Sequence, residues 1–106
     1  MPFDIDEIVA QMLAAVKGVV KDNWNLIKDS ASEYFQDHKS RLELLASLKI
    51  NNEISDDFFQ KRLADEEKIL ESELHSIAIV TKAMAQKAAN AAIDILEKAI
   101  TNAIGL

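Results

Sequence analysis

The two histidines of this chain flank its middle together with several glutamates that could share a proton or a metal with them: Glu33 and His38 before residue 50, then Glu66, Glu67, Glu71 and His75 after it. Asn51-Asn52 punctuate the centre, and a helical hairpin turning near residue 52 brings positions equally distant from the turn to one level. His38 lies fourteen residues before that point and Glu66 fourteen after it, so an imidazole is expected to face a carboxylate, Glu66 or its neighbour Glu67. In a dry helix seam each satisfies the other's hydrogen-bonding capacity. The expected role of such a layer is structural, a polar pair that fixes the register of two packed helices. The alternative role is a carboxylate–histidine metal site. By the same counting Glu33 is level with Glu71, and Glu67, Glu71 and His75 recur at i, i+4 and i+8, which makes His38, Glu67, Glu71 and Glu33 the candidate ligands. No catalytic or cofactor-binding residue is assigned, and no resident cofactor is expected.

Other chemistries have less to stand on. With no cysteine, thiolate metal sites, disulfides and thiol nucleophiles are excluded. Gly18 and Gly105 are the only glycines, so there is no phosphate-cradling loop and no Gly-x-Ser-x-Gly turn to present a serine. An enzyme is therefore not expected. The net charge of −6 falls unevenly, with eight acids against three bases in residues 51–76, and nothing resembles the basic stripe that neutralises phosphates. Nucleic acid is not an expected partner.

The elements that must position these residues are helices. Apolar types make up 49% of the 106 residues and charged types 28%, with a single proline, which points to one small all-α domain rather than a disordered or strand-rich chain. Asp4 with Glu7 has the spacing of a helix-capping pair, with Phe3 placed to staple onto Ile8. Ser55 with Asp56 and Asp57 opens a second helix, with Ile54 placed to staple onto Phe59, and Gly105 supplies a stop. Between these signals lie two long stretches, about 4–50 and 55–104, joined by a turn at 51–54. In the first, Leu13, Val16, Val20, Trp24, Ile27, Ala31, Tyr34, His38, Leu42 and Leu45 recur at spacings of three and four. The second carries Phe59, Leu63, Glu67, Leu70, Leu74, Ile77, Thr81, Met84, Ala88, Ala91 and Ile95 in the same rhythm. Ser30 with Glu33 also has capping-box spacing, with Asn23 and Asn25 nearby and Gly18 upstream, which marks residue 29 as a place where the first helix could break, although the stripe runs through it unbroken.

The expected architecture is thus a long antiparallel, coiled-coil-like helical hairpin. Val9, Leu26, Phe35, Leu44, Phe58, Ile69, Ile79, Val80, Ile93, Leu96 and Ile100 lie outside its seam, and a two-layer domain has to bury such a surplus. A second copy would do so by completing a four-helix bundle, with Ala83, Ala85, Ala88, Ala89, Ala91, Ala92, Ala99 and Ala103 as the close-contact surface between subunits. Such a homodimer resembles the ferritin-like di-iron bundles in architecture alone, because their Glu-x-x-His pairs are missing here. It is also similar in length and acidity to the small secreted WXG-type hairpins, but the turn reads Asn51-Asn52-Glu53 and the only tryptophan, Trp24, stands in mid-helix before Asn25 and Leu26.

These observations lead to an expected non-enzymatic assembly or adaptor module, acting through self-association and contacts with a protein partner. The acidic opening Met1-Pro2-Phe3-Asp4-Ile5-Asp6-Glu7 lacks the basic and apolar regions of a secretory signal, and a cytoplasmic location is the default expectation. Charged residues interrupt every apolar window, so a membrane span is not expected. Residues 91–106 are apolar on most faces, yet only Lys98 offers the basic side chain typical of a helix lying in a lipid interface.

Overall fold

The computed structural model describes residues 3–77 and 80–105. Among them are four α-helices, α1 (Ile5–Val20), α2 (Trp24–Ile50), α3 (Asp56–His75) and α4 (Lys82–Ile104), with a 3₁₀ turn at Lys21–Asn23. The ends follow the expected capping. The Asp4 carboxylate accepts from the Asp6 and Glu7 amides at 3.0 and 3.4 Å, and Ser55 Oγ accepts from Phe58 N at 3.1 Å. At the central turn Asn52 takes φ +60°, Glu53 N donates to Leu48 O and Asn52 N to Lys49 O, a Schellman closure. Gly105, at φ +86°, ends α4.

The two continuous helices expected from periodicity are each broken. α1 stops at Val20, where Lys21 turns to φ +52° and its backbone N–H closes onto Lys17 O. Ser30 and Glu33 lie inside α2, so the break falls at 21–23 and not near residue 29. The second stretch divides between His75 and Lys82, where Thr81 Oγ1 caps α4 by accepting from Met84 N at 3.1 Å. Neither Gly nor Pro marks either break. Ala78 and Ile79, like the terminal Met1, Pro2 and Leu106, lie outside the described residues.

The halves fold back on one another. Lys39 pairs with Asp6 across α1 and α2, Lys49 with Asp56 at 3.4 Å across α2 and α3, and Gln60 Nε2 donates to Glu97 Oε2 at 2.9 Å across α3 and α4. Each pairing joins a position on one helix to its level on an antiparallel neighbour. Phe3, Ile8 and Gln11 line the same cleft as Ile95, Ala99 and Asn102, so α4 also returns alongside α1 and the ring closes. The result is an up-down-up-down bundle within one chain, 40 × 24 × 22 Å, whose length is that of α2 at 1.5 Å per residue.

This closure absorbs most of the apolar surplus that called for a second subunit. Phe35, Val80, Ile93, Leu96 and Ile100 are buried in the chain's own core, Val9 and Ile69 are half-buried, and Leu26, Leu44 and Phe58 stay exposed. The alanines of α4 serve the same core. Ala85, Ala88, Ala89 and Ala92 are fully buried, which lets α4 touch α1, α3 and, across the diagonal, α2. Ala91, Ala99 and Ala103 are half-buried and Ala83 is exposed. The apolar face of residues 91–105 is thereby turned inward, and among the described residues no helix is long and apolar enough to cross a membrane.

Gly18 sits in α1 with nothing within 4 Å of where a Cβ would stand. Gly18→Ala is therefore expected to stabilise the chain by about 0.5–1 kcal/mol, through helix propensity and a less disordered unfolded chain. Thermal unfolding followed by circular dichroism checks this; an unchanged or lower midpoint would show that this end of α1 is not helical.

Candidate functional site

The chain's one buried charged residue among those described is Glu66, 1% exposed. Its position follows from the stripe of α3, where Phe59, Leu63, Glu66, Leu70 and Leu74 recur at spacings of three and four, so the carboxylate enters the α2/α3 seam with the apolar residues. Facing it, Tyr34 and Arg41 stand seven residues apart, on one side of α2.

Three side chains converge on the two Glu66 carboxylate oxygens, two of them through hydrogen bonds. Tyr34 Oη donates to Glu66 Oε1 at 3.2 Å and lies 3.4 Å from the Glu66 carbonyl oxygen, while Arg41 Nη2 donates to Oε1 at 2.9 Å. Arg41 Nε lies 2.7 Å from Oε2 as an ionic contact without hydrogen-bond alignment. Arg62, one turn before Glu66 on α3, brings Nη2 to 3.9 Å of Oε2. The hydrogen bond it donates to Glu66 raises the Arg41 guanidinium above its usual range, so this residue is a permanent cation. Burial, reinforced by the charge of Glu66, pushes the Tyr34 phenol well above its ordinary range.

That shift has a definite sign. A phenol held neutral in the folded chain but free to ionise near pH 10 once unfolded favours folding below that pH and ceases to do so as pH rises toward the folded value. Stability should therefore fall from about pH 10 upward. Tyr34 is the sole tyrosine, so its phenolate absorbance should appear together with loss of helix. Phenolate absorbance preceding unfolding would mean that the hydroxyl is not buried.

Above this polar centre the helices part. Arg41, Leu44, Leu45, Leu48, Phe58, Arg62 and Glu66 line a cavity of about 200 Å³, with Leu44 59% and Phe58 49% exposed at its rim. The two arginine side chains, Arg41 from α2 and Arg62 from α3, are each 39% exposed where they line this groove.

The residues expected to form the polar layer are distributed differently. His38 is half-buried with its ring 4.5 Å from that of Tyr34, and no hydrogen bond joins it to Glu66 or Glu67 among the described residues. The expected imidazole–carboxylate pair is thus replaced by a guanidinium, a phenol and a carboxylate. Glu67 points toward α4, in a cleft with Gln60, Asn90, Asp94 and Glu97, one helix face away from Glu66. Glu71 is half-buried, while Glu33 and His75 are exposed. Among the described residues no three His, Asp or Glu side chains gather as a metal ion would require. Arg41 carried no assignment in the sequence, but the signal was there: an arginine in phase with Tyr34 on α2, and an acid at the stripe position between Leu63 and Leu70.

Compared with protein families, curated proteins and solved structures, the chain matches none.

Proposed function

We propose that this chain is a non-enzymatic helical module acting through protein–protein contact, with the α2/α3 groove as its docking face. The observation that carries this reading is the pairing of Leu44 and Phe58, two exposed apolar side chains, across a groove edged by two arginines. At about 200 Å³ the groove falls below the roughly 300–1,000 Å³ of small-molecule sites. It suits one or two anchor side chains of a partner helix laid between α2 and α3. Exposed aromatic and arginine side chains are enriched where proteins meet.

Charge narrows the partner. Arg41 and Arg62 flank a single carboxylate, which leaves an excess positive charge at this groove in a chain of net charge −6. The segment that fits has apolar residues at helical spacing followed by an acidic side chain for Arg62. Self-association at the same face would bring two such arginine pairs together, so a different acidic partner suits it better than a second copy. The acidic surface elsewhere and the engagement of Glu66 by Arg41 and Tyr34 favour this reading over nucleic-acid binding or catalysis. The proposed setting is cytoplasmic.

A photo-crosslinking side chain at Leu44 or Phe58, introduced in the native host, tests it. A discrete adduct is expected at both positions, absent from a control at exposed Asn90 and lost when Arg62→Glu is added. Equal adducts at Asn90, or none at the groove, would remove the docking face.

A further inference from the structure

We infer that the chain can exchange its α1/α4 pair with a second copy, giving a domain-swapped dimer of two straightened hairpins. This inference rests on the two helix breaks and is independent of the α2/α3 groove.

Both breaks lie at the same end of the bundle, opposite the Asn51-Asn52 turn, because α2 begins and α3 ends there. Straightening both would swing α1 and α4 together away from α2 and α3. The packing within each pair would be kept, including Lys49 with Asp56 and Arg41 with Glu66. The contacts between pairs, Asp6 with Lys39 and Gln60 with Glu97, would re-form with the other copy. Nothing new has to be invented at the interface, which is why exchange of an existing element is a low-cost route to a dimer.

The sequence is written for the straight form as well as for the broken one. Val20 and Ile27, the buried residues flanking the first break, are seven apart; Leu74 and Ala85, the buried helical residues on either side of the second, are eleven apart, with buried Val80 in the joint between them. Both intervals are close to whole turns at 3.6 residues each, so continuous helices would bring the helical residues flanking each joint back to one face. Neither joint contains a Pro that would break a helix or a Gly that would weaken one, and the first is strained: Lys21, an ordinary L residue, sits at φ +52° and ψ −113°. Asn52, also at positive φ, is of a type that tolerates it. Short hinge turns under strain are the setting in which swapping occurs.

Cysteine pairs test the exchange directly, since the native chain has none. Asp6→Cys with Lys39→Cys spans the swapped contact, and Lys49→Cys with Asp56→Cys spans a retained one. Chains are concentrated to promote association, separated into monomer and dimer, and oxidised. The swap requires that the first pair crosslink within the chain in monomer and between chains in dimer, while the second pair stays intrachain in both. Lys21→Ala/Asp22→Ala/Asn23→Ala should raise the dimer association constant at least about fivefold, by favouring helix over the strained turn. Lys21→Gly should lower it. A dimer whose first pair crosslinks only within chains is a face-to-face dimer and overturns the inference, as does failure of both wild type and the triple-alanine variant to dimerise at millimolar concentration.

Discussion

Arg41→Ala is expected to destabilise the chain by about 2–4 kcal/mol, although the side chain removed is 39% exposed. The loss comes less from the deleted side chain than from the one left behind. Without Arg41 the Glu66 carboxylate, 1% exposed, keeps only the Tyr34 hydroxyl and a guanidinium at 3.9 Å, and a charge cut off from water and from its counterion is expensive. The value lies below the usual figure for a fully buried pair because solvent reaches Arg41 in the wild type and would reach its vacated place. Removing both charges behaves differently. The double variant Arg41→Leu/Glu66→Leu should lie within about 1 kcal/mol of wild type, on either side, because apolar side chains fill the seam without desolvating an ion. Urea unfolding of the two variants decides the matter. A loss under about 0.5 kcal/mol for Arg41→Ala would place Glu66 in water and dismantle the candidate site.

Ala88→Leu tests the other buried seam and should be nearly as damaging, at about 3 kcal/mol. Ala88 has no exposed surface and belongs to the set that lets α4 approach three helices at once, so three added carbons must displace a neighbouring helix or force an unfavourable rotamer. The same change at exposed Ala83 should stay within about 0.5 kcal/mol, which separates crowding from any general effect of leucine on α4. Were these alanines a surface between subunits instead, Ala88→Leu would leave the stability of a dilute chain almost untouched and act on its association.

The parts of the fold readable in the sequence are those governed by local chemistry. Asp4, Ser55, Asn52 and Gly105 act where their side chains or their tolerance of positive φ placed them, and the antiparallel relation of α2 and α3 follows from the turn they bound. The break at 21–23 was expected only near residue 29, and the one between His75 and Lys82 was not visible at all, for one reason. Hydrophobic periodicity reports the direction in which a residue faces, and intervals of seven and eleven residues return to nearly the same direction whether or not the chain has doubled back between them. Continuous phase was therefore read as continuous helix, and the apolar surplus was assigned to a second copy when the chain's own halves could cover most of it. The polar layer shows a finer version of the same limit. Level-counting located it within a turn, but placing Glu67 in the stripe instead of Glu66 rotated the acid toward α4, and His38 was credited with a contact made by Arg41, whose longer side chain reaches the carboxylate from the next turn of α2. Leu44 and Phe58 stood among the surplus apolar residues, yet only the closed bundle separates them from Phe35 and Leu96, which it buries.

The measurement that bears most directly on the closed bundle is a distance between spin labels on Glu7→Cys and Gln36→Cys, taken on the species of 11.8 kDa with doubly labelled chain diluted into unlabelled chain. Both positions are exposed, and the neighbouring residues Asp6 and Lys39 pair across α1 and α2. A chain that doubles back at Lys21–Asn23 holds these labels on adjacent antiparallel helices, at a separation on the order of 10–20 Å. A single helix running from residue 4 to residue 50 would hold them about 44 Å apart, at 1.5 Å for each intervening residue. The short distance is the expected result, and a distribution centred near the long one in the monomeric chain would contradict the four-helix fold and the groove built on it.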